Sequence, residues 1–160
     1  MNIQYLNVDE GNFFTDNEEY DLYDYSDQIN ELENKSGIRI LRGKDLSVIA
    51  FLEEEGKIIG VLYTEFSDGK YSFDVIVDEK FRGKGIGREL MDIGIREYQT
   101  LKNEFDNVEL EVDAVNPKVV EYLKTKGLKI KKEIEGHIIM GESVSNIKEN
   151  ELIWELYSKK

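Results

Sequence analysis

The chain has 160 residues, 40% hydrophobic and 34% charged, with no cysteine and a net charge of −13. That length and balance suit one soluble globular domain rather than a disordered chain. They exclude disulfides, thiolate metal sites and a cysteine nucleophile, and a field of this sign repels nucleic acid and anionic membranes.

No apolar run approaches the roughly 18 residues that span a bilayer. Residues 1–10 have neither a basic start nor an apolar stretch, so no leader is expected and the protein reads as cytoplasmic. The charge is concentrated at the start: residues 1–36 hold ten acids and one base, Lys35. Two readings of that segment stay open, solubility and attraction of a cationic substrate. Phe13, Phe14, Tyr20, Tyr23 and Tyr25 lie among the acids, which argues for a folded segment. A short strand is expected near Ile3–Asn7, then a loop, then helical pieces between Asp21 and Asn34.

From Ser47 the pattern sharpens. Ser47–Glu53 and Lys57–Phe66 read as strands around a Glu54-Glu55-Gly56 turn. Ser67-Asp68-Gly69-Lys70 is a hairpin turn. Tyr71–Asp78 is the next strand, with Tyr71, Phe73, Val75 and Val77 on one face and Ser72, Asp74 and Ile76 on the other. These three strands form an antiparallel meander. A glycine loop follows, then a helix from Gly85 to about Lys102. Val108–Val115 alternates as a strand. Asn116-Pro117 starts a helix, as N-cap and first helical residue, and Gly127 ends it. Leu128–Ile134 and His137–Met140 form a hairpin around Glu135-Gly136. A final helix is expected over Asn146–Ser158.

The segment that carries chemistry runs from Val75 to Arg88. A helix start leaves backbone N–H groups unpaired and presents partial positive charge. Gly83, Gly85 and Gly87 let an anion approach the backbone, and Lys80, Arg82, Lys84 and Arg88 reverse the local charge of an acidic chain. Pyrophosphate is the expected anion; a glycine-rich helix entry without a ligand is the alternative. A P-loop would need Ser or Thr after Gly83-Lys84, where Gly85 stands. A dinucleotide fingerprint would need glycine at Arg88. The lone histidine, His137, reads as a strand residue, and the acids show no metal-site spacing.

Arg82-Gly83-Lys84-Gly85-Ile86-Gly87 matches every position of Gln/Arg-x-x-Gly-x-Gly/Ala, the phosphate motif of the GCN5-related N-acetyltransferases. The order of elements from Ser47 to Met140 is similar as well. The resemblance covers about two-thirds of the chain. It implies an α+β fold, a mostly antiparallel mixed sheet of six to seven strands flanked by helices, in one domain over residues 1–160. It implies acetyl-CoA as donor, with the pyrophosphate on the backbone of Gly83 to Arg88. The pantetheine arm would pair with Val75, Ile76 and Val77 in a splay between the strands Tyr71–Asp78 and Val108–Val115.

Leu110-Glu111-Val112-Asp113-Ala114-Val115-Asn116 resembles the branch that acetylates protein N-termini. That likeness implies Glu111 as base and Asn116 as a contact to the cofactor arm. An alkyl amine, with a pKa near ~10.4, must lose a proton before it attacks a thioester. A solvated face of Glu109, Glu111 and Asp113 is the other reading. The family's acid, a Tyr seven residues after the Asn, is replaced by Leu123. Tyr122 lies about 100° away around the helix, as a displaced acid or a packing residue. The acceptor implied is a primary amine, of a cationic small molecule or of a peptide. A catalytically weak acyl-CoA-binding domain is the rival reading. The acidic segment is expected to cap the acceptor side. Monomer and homodimer both stay open.

Overall fold

A computed structural model describes residues 2–36, 44–114, 117–135 and 137–142. Val115, Asn116, Gly136 and the expected helix Asn146–Ser158 lie outside the described residues. In chain order the elements are β1 (Gln4–Asp9), β2 (Asn12–Phe14), β3 (Glu19–Asp21), α1 (Ser26–Ser36), β4 (Asp45–Leu52), β5 (Lys57–Ser67) and β6 (Lys70–Val77). Then come α2 (Ile86–Glu104), β7 (Glu109–Ala114), α3 (Pro117–Thr125), β8 (Lys129–Ile134) and β9 (His137–Gly141). None of the described helices is long and apolar enough to cross a membrane.

The strands form one mixed sheet in the order β3-β2-β1-β4-β5-β6-β7-β9-β8. It has nine strands, not the six to seven expected. The two unforeseen strands, β2 and β3, have three residues each, too short to show a period of two. A two-residue turn at Glu10-Gly11, both at positive φ, starts that extension. It is a hairpin turn of the kind expected, and found, at Asp68-Gly69. What holds the extension is aromatic. Phe13 is fully buried, stacks on Tyr20 at 5.1 Å and meets Tyr25 and Phe51 edge-on.

The sheet separates two cores. On one face α2 and α3 pack Ile86, Leu90, Ile95, Val120 and Leu123 against Tyr71, Phe73, Leu110 and Val112. Gly94 sets how closely α2 approaches, since a Cβ there would lie 3.0 Å from the Phe73 ring. On the other face α1 buries Ile29 and Leu32 with Ile49, Phe51, Ile58, Val61 and Ile76. Gln28 ties α1 to β5, donating to the Gly56 carbonyl at 3.0 Å and accepting from the Ile58 N–H at 2.9 Å. The Tyr63 hydroxyl donates to Glu33.

This layout divides the acidic segment. Only α1 lies on the face of the central strands. β1, β2 and β3 extend the sheet edge beyond β4, so they do not cap the centre of the sheet.

Candidate functional site

The sheet opens between β6 and β7. These strands are the one parallel pair among the described residues, and they pair only at Lys70↔Glu109, Tyr71↔Leu110 and Ser72↔Glu111. Beyond that point β6 stays bonded to β5 up to Val77↔Gly60, and β7 to β9 up to Ala114↔Ile138. The facing edges are left apart. Antiparallel bonding alternates along a strand, and the Asp78 N–H donates to the Ile59 carbonyl. By that alternation Ile76 and Asp74 bond towards β5. The N–H and C=O groups of Val75 and Val77 therefore point into the gap. An extended chain entering there would find strand-like partners.

The glycine loop stands at the wide end of this gap. Gly83 and Gly85 have φ of 79° and 83°, values that other residues rarely adopt. Nothing lies within 4 Å of where a Cβ would sit on either, so the loop is open outward. Gly85 is the N-cap of α2 and offers no side-chain cap, so the first amides of the helix keep their donors. Ile86 is buried in the core and pins that first turn. Gly87 differs: a Cβ there would touch Val77 Cγ2 at an ordinary 3.5 Å, so its backbone does not demand glycine.

The basic residues around the loop are exposed. Lys84 lies over the Phe81 ring at 5.4 Å and Arg88 over the Tyr122 ring at 5.2 Å. A cleft of about 280 Å³ leads from Arg82 between α1 and the end of β6, past Leu32, Lys35, Lys57, Ile76 and Val77.

The expected catalytic residues are placed as follows. Glu111 lies on the α1 side of β7, opposite Ser72, at the closed end of the gap. Its Oε1 is shared by Lys70 at 3.4 Å and Lys131 at 3.8 Å. Tyr122 lies on the other side of the sheet. Its hydroxyl donates to Asp92 Oδ1 on α2 at 2.5 Å. Burial, and after it the Asp92 hydrogen bond, push its phenol above the ordinary range. Leu123 is fully buried, so the position of the expected acid belongs to the core.

Three other side chains on the α1 face, read from the sequence only as strand residues, have partners it did not reveal. Asp74 is 6% exposed and pairs with Lys44. Burial raises its pKa, Lys44 opposes that, and Asp113 adds to it. Continuing the register from Ser72↔Glu111 puts Asp74 level with Asp113, across the gap. His137 Nδ1 lies 2.8 Å from Asp113 Oδ2. Alternation placed Asp74 on this face, but its lysine comes from the residue before β4, and the Asp113–His137 pair cannot be read without the register of β7 on β9.

The sequence profile of the Acetyltransferase (GNAT) family matches residues 5–128. No curated protein sequence matches the chain. Among solved structures, an acyl-CoA N-acyltransferase from Pseudomonas aeruginosa is similar at a TM-score of 0.60 and 19% identity, over 89% of this chain and 100% of that one. An N-acetyltransferase from Staphylococcus aureus Mu50 is similar at a TM-score of 0.57 and 12% identity, over 88% and 96%. A GNAT-family acetyltransferase from the same organism reaches 0.55 at 14% identity, over 89% and 100%. At these identities the structures speak for the fold alone.

Proposed function

The chain belongs to the acetyltransferase (GNAT) family, and from that premise we propose that it moves an acetyl group from acetyl-CoA to a primary amine. The observation that carries this reading is the gap between β6 and β7, with the Val75 and Val77 backbone turned into it and an uncapped helix start at its mouth. In this reading the pyrophosphate rests on the amides from Gly83 to Arg88, with Arg82, Lys84 and Arg88 supplying charge. The pantetheine arm adds as a short strand along Val75, Ile76 and Val77, bringing the thioester to the α1 face. Asn116 is assigned to the cofactor arm by resemblance alone.

Acetyl-CoA supplies an activated acyl group. The protein's task is to position an amine beside it and remove a proton. Of the three carboxylates on that face, Asp74 and Glu111 are matched by lysines, which leaves Asp113 as the charge that favours a cationic acceptor. Glu111, tied through Oε1 to two lysines, fixes charge at the closed end of the gap. Tyr122 is spent on Asp92, so we assign the departing thiolate no side-chain acid. Coenzyme A thiolate leaves readily enough to dispense with one.

Two measurements test the reading. Acetyl-CoA is expected to raise the melting temperature through ligand linkage. Coenzyme A release is expected with at least one amine from a panel of spermidine, lysine and an alanyl dipeptide. A melting shift without release from any amine would leave a binding domain instead.

A further inference from the structure

Three carboxylates face the gap from the α1 side, and their partners differ. Asp74 is paired with Lys44, and Glu111 lies between Lys70 and Lys131. Asp113 has no lysine among the described residues. Its one hydrogen-bond partner among the described residues is His137, at 2.8 Å from Oδ2, and its buried Oδ1 has none among them. A carboxylate kept for a single imidazole fixes that ring's tautomer and orientation, and it stabilises the imidazolium once formed.

Position points the same way. Asp113 lies two residues beyond the last β6–β7 pair, on the open part of the gap. His137 shares its face, because Asp113 lies opposite Ile139 and His137 is two residues from Ile139. The His137 side chain is 55% exposed, so with Nδ1 turned to Asp113 its Nε2 is open to an incoming group.

Resting on the proposed transfer reaction, we propose that His137, held by Asp113, is the group that takes the proton from the acceptor amine. The ammonium gives one proton to His137 Nε2, directly or through one water. The free amine attacks the acetyl carbonyl, the C–N bond forms and the C–S bond breaks. Coenzyme A departs as thiolate and takes the second N–H proton, lost from nitrogen after attack. The imidazolium returns its proton to solvent. Asp113 is a positioning residue in this scheme.

The experiment measures coenzyme A release at neutral pH with the active amine of the panel, in wild type, His137→Gln, His137→Ala, Asp113→Asn and Glu111→Gln. His137→Gln is expected to lower kcat at least about a hundredfold, the lower end of what general base catalysis contributes. The melting shift given by acetyl-CoA is expected to persist in that variant. Added imidazole is expected to restore part of the rate of His137→Ala. Asp113→Asn is expected to lower kcat with little change in the acceptor KM, and Asp113→Glu to recover part of it. Glu111→Gln is expected to fall less than His137→Gln. A His137→Gln rate within about twofold of wild type would overturn the assignment. So would a His137→Ala defect that imidazole leaves untouched. If wild type releases no coenzyme A with any amine, the transfer reaction itself fails.

Discussion

The two ends of the gap between β6 and β7 are made of different material. The donor end is backbone: N–H groups at the start of α2, the Val75 and Val77 edges, and two glycines at positive φ. The α1 face, where the acceptor is proposed to enter, is side chains drawn from β6, β7, β9 and the residue before β4, joined as Lys44–Asp74 and Asp113–His137. A backbone site is written locally, since a few consecutive residues fix it. A side-chain site depends on which strand lies beside which, and in what register.

The largest expected effect falls on the donor end. At a hundred times Kd, acetyl-CoA would stabilise wild type by about 2.7 kcal/mol. Gly85→Asp should remove that gain, because the new side chain is strained at φ 83° and brings negative charge to the phosphate cradle. Gly87→Ala sharpens the point. Its Cβ would meet only Val77 Cγ2 at 3.5 Å, so the melting shift should survive. Loss in both variants, read by thermal melting with and without ligand, would mean that the whole motif, not its two strained positions, makes the site.

The next effect tests the α1 face. Lys44→Met would leave Asp74 buried without its cation, at a cost of roughly 2 kcal/mol near neutral pH. The sign with pH follows from the raised pKa of Asp74, which burial causes. A carboxyl raised in the folded state stays protonated there when the unfolded chain has ionised. Its penalty is therefore absent below the unfolded pKa and grows as pH rises towards the folded one. Without Lys44 the folded pKa rises further. The deficit of the variant against wild type should then shrink as pH falls. A deficit independent of pH, in denaturant titrations at several pH values, would show that Lys44 acts through packing.

That asymmetry explains what could be read beforehand. The loop Arg82 to Gly87 was legible because glycine positions and a helix start leave marks within six residues. The meander and the alternation of Tyr71–Asp78 were legible because each strand buries a face; Ile76 and Phe73 do lie in opposite cores. β2 and β3 were not, being held by Phe13 on Tyr20 and Phe51 rather than by a pattern of their own. Nor was the role of His137, whose meaning depends on β9 lying between β7 and β8. Tyr122 was half legible: the helix periodicity separated it from Leu123, but not which neighbour it would bond.

A smaller effect is expected at Tyr122. Tyr122→Phe removes one hydrogen bond to Asp92 and should cost about 1 kcal/mol of stability. Turnover should change by less than about twofold, since no acid role is assigned to it. A tenfold fall in kcat at unchanged stability would restore the displaced-acid reading.

The smallest effect separates the two halves of the acidic segment. Glu18, Glu19 and Asp21 lie on or beside β3, at the far edge of the sheet. Five strand spacings separate β3 from β6, roughly 24 Å at ~4.8 Å each. Charges so far from the gap are screened at physiological ionic strength, where the Debye length is about 8 Å. Replacing all three by their amides should therefore move the acceptor KM by less than about twofold. The fold should tolerate the change: Asp21 Oδ1 accepts from the Tyr23 N–H at 3.0 Å, and an Asn oxygen there can accept as well. Charges on the α1 face lie nearer the gap. Neutralising Glu33, which receives the Tyr63 hydroxyl, should raise the acceptor KM more than the triple change does, and added salt should narrow that difference. If the distant triple raises KM as much as Glu33→Gln, the whole acidic segment steers the acceptor, and the division between sheet edge and central face has no functional meaning.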